Sequence, residues 1–364
     1  MARASFNRVG SWIIKFRYPI AAISLTAYGV YLRFVSLANR FFPWADEAYL
    51  IETLQGEFKP FWQRFTYTDF TYFPGEYIIN RPFVFLFPLN KWNILIPHIL
   101  FTFLTFYLLY LICKRYFHSI FAWIATFALV AVHRDLVFHS FELRPYAVLP
   151  ALALAVFYFS EAIVSSYYRL SPIQKASIGF VFVFTVIFHA YGAVILFFII
   201  AYFILRELTE KPFKEVFKHN YRFLSVITVI CLPLFLWYSM NNVHTVKGMG
   251  KSVFEYIPSP ALDIYGFVKV VLCCLIGNKF LYPLAVLLTC PFFLPYKQRL
   301  QQIIFLLIIV VAPILSVLLI SILSGYWFIQ RQFIWVMPLF AFLVGWCLDS
   351  FIGFIQSRKQ RVSL

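Results

Sequence analysis

The sequence predicts an all-α polytopic membrane protein of about ten transmembrane helices, with cytoplasmic N- and C-termini and interfacial helices in the first outer loop. Three observations carry this prediction. Composition is the first: 62% of the 364 residues are hydrophobic, 21% are aromatic and mean hydropathy is +0.80, against roughly half apolar residues in a soluble domain. The second is run length, since stretches such as IIFLLIIVVAPILSVLLI approach the roughly 20 residues that a helix needs to cross the hydrocarbon. The third is the distribution of Lys and Arg, which concentrate in alternate segments between these runs. Residues 1–364 therefore read as a single membrane domain with no separate soluble unit.

The N-terminus is basic (Arg3, Arg8, Lys15, Arg17) and no small-residue cleavage site follows, so the first span at about 18–37 reads as an uncleaved anchor. Further spans are expected at about 93–112, 119–132, 145–165, 223–240, 280–294, 303–323 and 333–353. Two of them, 119–132 and 280–294, are short and must borrow flanking residues or sit in thinned bilayer. The segment 177–205 is apolar but interrupted by His189, Tyr191 and Gly192, and reads either as one tilted helix or as two short antiparallel ones.

Charge decides between these, because basic residues stay on the cytoplasmic side. Two helices give ten spans and place 18 of the 31 Lys and Arg inside. A single helix would instead export the loop RELTEKPFKEVFKHNYR and the SRKQR tail. Five of the 15 acids (Glu161, Glu207, Glu210, Glu215, Asp349) then fall inside and ten outside. Most of the net charge of +16 is accordingly topological and faces the anionic inner leaflet, which removes the main support for a nucleic-acid partner. The six cysteines lie in or beside apolar stretches without CxxC spacing and read as packing residues.

Four elements with chemistry in them share the outer face of this arrangement. Asp46 and Glu47, in FPWADEAYL, open the outer segment at about 38–92, whose many aromatic rings suit the bilayer interface. Acids at the start of a short helix over 48–54 also favour its dipole, so that position alone assigns no chemistry. Next, HRDLVFHSFELRPY brings Glu142, Arg144 and Tyr146 to the mouth of the span at 145–165, where Glu142 and Arg144 could form a simple ion pair. His189 occupies the apex of FHAYGA, and a lone histidine there equally serves as a partner for a neighbouring carbonyl. Arg331, in SGYWFIQRQF, is the fourth, at the outer end of the last span, where a single arginine often serves only as a snorkelling anchor.

In motif order and spacing these residues resemble the GT-C class of integral membrane glycosyltransferases, the protein O-mannosyltransferases and the lipid A aminoarabinose transferases in particular. The likeness runs over about 18–353, and FPWADEAYL and FELRPYAVLP are its most specific parts. It implies a sugar donor linked to a polyprenyl phosphate, a lipid, glycan or protein acceptor, and reaction at the extracytoplasmic face of the plasma or inner membrane. Residue by residue, it implies that Asp46 is the general base with Glu47 beside it. Glu142, Arg144, Tyr146, His189 and Arg331 then contact donor or substrate. The chain departs from the pattern at TYFPGEY, where relatives often carry a His-Pro-Pro type motif, and after Arg331, where Gln332 and Phe333 replace a tyrosine.

The chemistry suits these residue types. Displacing a polyprenyl phosphate from a sugar carbon needs a base at the incoming hydroxyl and positive charge at the departing phosphate. Asp46 supplies the first, and Arg144 and Arg331 the second, guanidinium being matched to phosphate in fork geometry. Mg²⁺ or Mn²⁺ between Asp46 and the phosphate would suit hard oxygen ligands, but adjacent acids are a weak metal signal and no metal is assigned. The alternative from another class is a transporter or lipid flippase. Such proteins place binding groups near the midplane on broken helices, and here only the interruption at His189 has that character.

Overall fold

The computed structural model describes residues 2–40, 43, 45–55, 74–88, 90–166, 170–189, 191–218, 221, 223–225, 227–234, 236, 294–324 and 333–362. Among the described residues every regular element is helical. In chain order they are α1 (Ala2–Asn39), α2 (Ala45–Gln55), α3 (Pro74–Leu86), α4 (Lys91–Ile94), α5 (Ile96–Tyr116), α6 (Ile120–Val132) and α7 (Arg134–His139). After a 3₁₀ turn at Pro145–Ala147 come α8 (Leu149–Ser166), α9 (Pro172–Phe188), α10 (Tyr191–Leu208), α11 (Tyr296–Phe305), α12 (Ala312–Ser324) and α13 (Val336–Val362).

Five stretches are long and apolar enough to cross a membrane: Phe16–Asn39, Ile96–Tyr116, Tyr191–Leu208, Tyr296–Val317 and Val336–Arg358. Ile120–Val132, Leu149–Val164, Pro172–Phe188 and Phe223–Leu234 are shorter apolar helices. The protein is thus a helical membrane protein. Of the expected span at 280–294, all but the last residue lies outside the described residues.

Local chemistry explains the helix boundaries. Ser171 caps α9 reciprocally with Gln174, with Pro172 opening the first turn. Lys114 and Arg115 occupy the last turn of α5, where cations suit the dipole. Between α11 and α12 the backbone loosens into a π-turn over Leu306–Val311, with Ala312 N–H reaching back to Leu307. Pro313 follows directly, and its ring and missing N–H make regular helix costly there.

The apolar run 177–205 is two helices in the structure, α9 and α10, interrupted at His189. The chain turns so sharply that a Cβ added to Gly192 would lie 1.8 Å from the carbonyl oxygen of Thr185. Glycine is the residue that admits this approach. The span expected from 145 becomes regular α-helix only at Leu149, because Pro145–Ala147 forms the 3₁₀ turn.

At the centre, rings from α8, α10, α11 and α13 interlock. Phe157 and Phe203 stand 4.9 Å apart, Tyr202 and Phe305 5.0 Å, and Phe157 and Phe342 5.5 Å. In lipid such packing works through dispersion contacts rather than exclusion of water. Cys113, Cys231 and Cys347 are buried, in the packing role expected of them, while Cys273, Cys274 and Cys290 lie outside the described residues.

The helices alternate in direction and so create two polar ends. At one end the last turns of α5, α8 and α10 meet: Tyr116 donates to Glu161 Oε1, Arg206 Nη1 lies 3.3 Å from the same oxygen, and Arg115 Nη1 lies 3.1 Å from Oε2. Asp349 of α13 caps α6 there, accepting from the backbone N–H of His118 at 2.9 Å and of Ser119 at 2.6 Å. The opposite end collects α2, α3, the close of α1, α6 and α9, and the start of α5, α8, α10 and α13. We call it the acid-pair end.

Candidate functional site

Helix α2 begins at Ala45, so Asp46 and Glu47 occupy its first turn, where negative charge suits the helix dipole. The Asp46 side chain lies outside the described residues. Glu47 is fully buried. Its Oε1 accepts from the Arg40 guanidinium and from the backbone N–H of Leu143 at 2.9 Å. Arg40 Nη2 also donates to the Phe141 carbonyl at 3.2 Å. These charge-assisted bonds fasten α2 to the Phe-Glu-Leu segment at 141–143, which brings the first two sequence elements together.

Within the second element the partners differ from the expected pair. Buried Glu142 takes His139, not Arg144: Oε2 stands 2.8 Å from Nδ1 of that ring, three residues earlier. The reason is geometric, since residues 139–142 form a single turn, whereas Arg144 is extended at φ −151° and ψ 159° and leads away.

Tyr146 links the second element to the third. Its ring centroid lies 6.1 Å from His139 and 6.3 Å from His189. His189 Nδ1 accepts the backbone N–H of Tyr191 at 3.0 Å, which assigns the ring proton to Nε2. Burial first, and then the Arg144 charge, push this imidazole far below its ordinary range, so it is neutral. Tyr191 in turn meets Phe333 edge-on at 5.9 Å. Phe333 stands two residues beyond Arg331, which itself lies outside the described residues.

Several residues at this end were not among the expected site residues. Helix α3 is one source. Arg81 donates to the Leu54 carbonyl at 3.2 Å and so caps the end of α2. A Cβ on Gly75 would fall 2.2 Å from the Phe188 ring and 2.5 Å from its Cα, so the first turn of α3 lies directly on the end of α9. Helix α3 therefore bridges the acid-pair helix and the His189 apex. It carries Glu76 and Asn80, both buried, and His98 of α5 stands 3.3 Å from Glu76 Oε2.

Arg33 is the other. Its Nε donates to Ser140 Oγ at 2.8 Å, its Nη1 to the carbonyls of Gly29 at 2.8 Å and Ala131 at 3.1 Å, and its Nη2 to Val130 at 3.0 Å. Val130 and Ala131 end α6, where carbonyls lack helical partners and a cation suits the dipole. Arg33, Ser140 and Tyr146 also line a cavity of about 10 Å³, close to the room one water needs. An i, i+4 pair such as Glu76 and Asn80 was a signal that could have been found; Arg33 and His98 were single polar residues in apolar runs.

The acid-pair end thus assembles buried carboxylates, a neutral imidazole and guanidinium groups, the inventory of an acid–base and anion-handling site. Among the described residues no three His, Cys, Asp or Glu side chains come together as a metal cage. No family model, curated protein or solved structure matches the chain.

Proposed function

We propose that this protein is an integral membrane glycosyltransferase that moves a sugar from a polyprenyl-phosphate-linked donor to an acceptor hydroxyl. In this reading it has ten spans with cytoplasmic termini, and the acid-pair end faces the extracytoplasmic side of the plasma or inner membrane. The observation that carries it is the bond from Leu143 N–H to Glu47, which joins the helix bearing Asp46 to the Glu-Leu-Arg-Pro-Tyr segment. Residues 96 apart in sequence thereby share one small region, as a displacement at one carbon requires.

The reaction is a direct displacement. The acceptor oxygen forms the new bond to the anomeric carbon as its proton passes to the Asp46 carboxylate. The bond to the phosphate oxygen breaks, and the electron pair leaves on the polyprenyl phosphate, with Arg144 and Arg331 as its countercharges. Glu47 serves as a tether, its Oε1 already holding Arg40 and Leu143. His189, neutral and aligned by Tyr191, offers an Nε2–H donor to a sugar hydroxyl.

A transporter or flippase reading has one observation in its favour, the break between α9 and α10. That break lies against the first turn of α3 at the acid-pair end, which fits a mouth better than a midplane site. Asp46→Asn separates the two. The enzyme reading expects a folded, inserted variant that no longer transfers sugar from a polyprenyl-phosphate donor in proteoliposomes, and full transfer by that variant would refute the general-base role.

A further inference from the structure

Glu76, Asn80 and His98 form a polar cluster that the reaction above does not use. Glu76 and Asn80 lie one turn apart on α3, and His98 sits in the first turn of α5; all three are at most 2% exposed. Asn80 Nδ2 donates to Glu76 Oε2 at 2.7 Å and to the Glu76 carbonyl at 2.8 Å, which fixes the orientation of the amide. Glu76 Oε1, Asn80 Oδ1 and both ring nitrogens of His98 are buried without a hydrogen bond. Buried polar atoms are nearly always bonded, so orphaned atoms on three neighbouring side chains point to a ligand from outside the chain.

The ligand's nature follows from the donor set. A carboxylate oxygen, an amide oxygen and an imidazole nitrogen all offer lone pairs. His98 Nε2 stands 3.3 Å from Glu76 Oε2 yet lacks hydrogen-bond alignment. Two atoms that bind one ion tetrahedrally at about 2.0–2.1 Å are separated by roughly 3.3–3.4 Å.

We propose that Glu76, Asn80 and His98 form a binding site for a divalent transition ion of the zinc or manganese class. A proton shared by Glu76 and His98 would leave Asn80 Oδ1 unmet. An ion engages the imidazole, the carboxylate and the amide together, and it supplies the positive charge that a buried carboxylate requires. Imidazole disfavours Mg²⁺. Three side chains leave a coordination position open, and Gly75 places the site beside Phe188, next to His189. The site stands whether or not the chain transfers sugars.

The test uses the full-length protein in detergent, stripped with chelator, exposed to Zn²⁺, Mn²⁺ or Mg²⁺ and desalted before metal analysis and thermal unfolding. Wild type is expected to retain about one Zn²⁺ or Mn²⁺ per chain and to melt higher when loaded, with Mg²⁺ giving neither effect. His98→Ala and Glu76→Gln should weaken metal affinity by about 10-fold or more and erase the thermal shift, with Asn80→Ala giving a smaller loss. If Glu76→Gln does not fold, His98→Gln provides the same reading at nearly constant volume. Wild type that retains neither ion, or undiminished metal in folded His98 and Glu76 variants, would overturn the site.

Discussion

The two ends of the bundle treat buried charge in opposite ways. Where α5, α8 and α10 finish, Glu161 is met by Arg115, Arg206 and Tyr116, and Asp349 by two backbone N–H groups. Glu207 pairs with Lys211, and Glu210 with Lys297. These four carboxylates are met within the chain. At the acid-pair end Glu47 and Glu142 are likewise engaged, but Glu76, Asn80 and His98 retain buried atoms with nothing bound to them. One end is a clasp, and the other keeps unspent coordination for a molecule or ion from outside the chain.

The contrast can be broken most directly at its two acids. Glu161→Ala leaves two guanidinium groups without their carboxylate and is expected to cost about 2–3 kcal/mol in reversible detergent unfolding. Glu76→Gln in chelator-stripped protein should cost less than about 1 kcal/mol, because Gln preserves an acceptor for Asn80. Equal losses at both positions would erase the distinction.

A second measurement sharpens the picture at the acid-pair end alone. In a double-mutant cycle with Arg40→Met and Glu47→Gln, a coupling of about 1–3 kcal/mol is expected, the range for groups in one charged network. Coupling near zero would remove the tether that holds α2 to residues 141–143.

The smallest effect belongs to the clasp's exposed margin. The hydrogen bond from Lys297 holds the Glu210 carboxyl below its ordinary value of 4.5. A depressed acid stabilises the fold above that value and loses the contribution as pH falls through its folded-state pKa. Melting temperature should therefore fall slightly more in wild type than in Glu210→Gln once pH drops below 4.5. An unchanged acid limb in the variant would mean that solvent screens the pair completely.

Much of the fold was readable from the residues. Hydropathy runs located the helices, and the interruption at His189 with nearby Gly192 marked the turn between α9 and α10, because charge placement and backbone freedom agreed there. Side-chain partners were less readable. Glu142 and Arg144 could have formed a simple ion pair, yet a single turn delivers His139 to Glu142 instead. The Arg40, Glu47 and Leu143 contact spans too much sequence for any local rule. Arg33 and His98 were invisible for a different reason: one polar residue in an apolar helix has no periodicity, and its meaning lies in the helix that packs against it.

Arg33 has a consequence for how the protein is made. Its guanidinium leaves the ribosome 97 residues ahead of Val130, one of the carbonyls that later receives it. During that interval the first helix carries a charge that costs about 2.5–3.5 kcal/mol if drawn to the bilayer centre. Six residues from the end of α1, the side chain can instead reach up to the headgroups. The arrival of α6 then offers it a seat and lets the helix settle, so the final depth of the first span is an outcome of folding rather than of insertion.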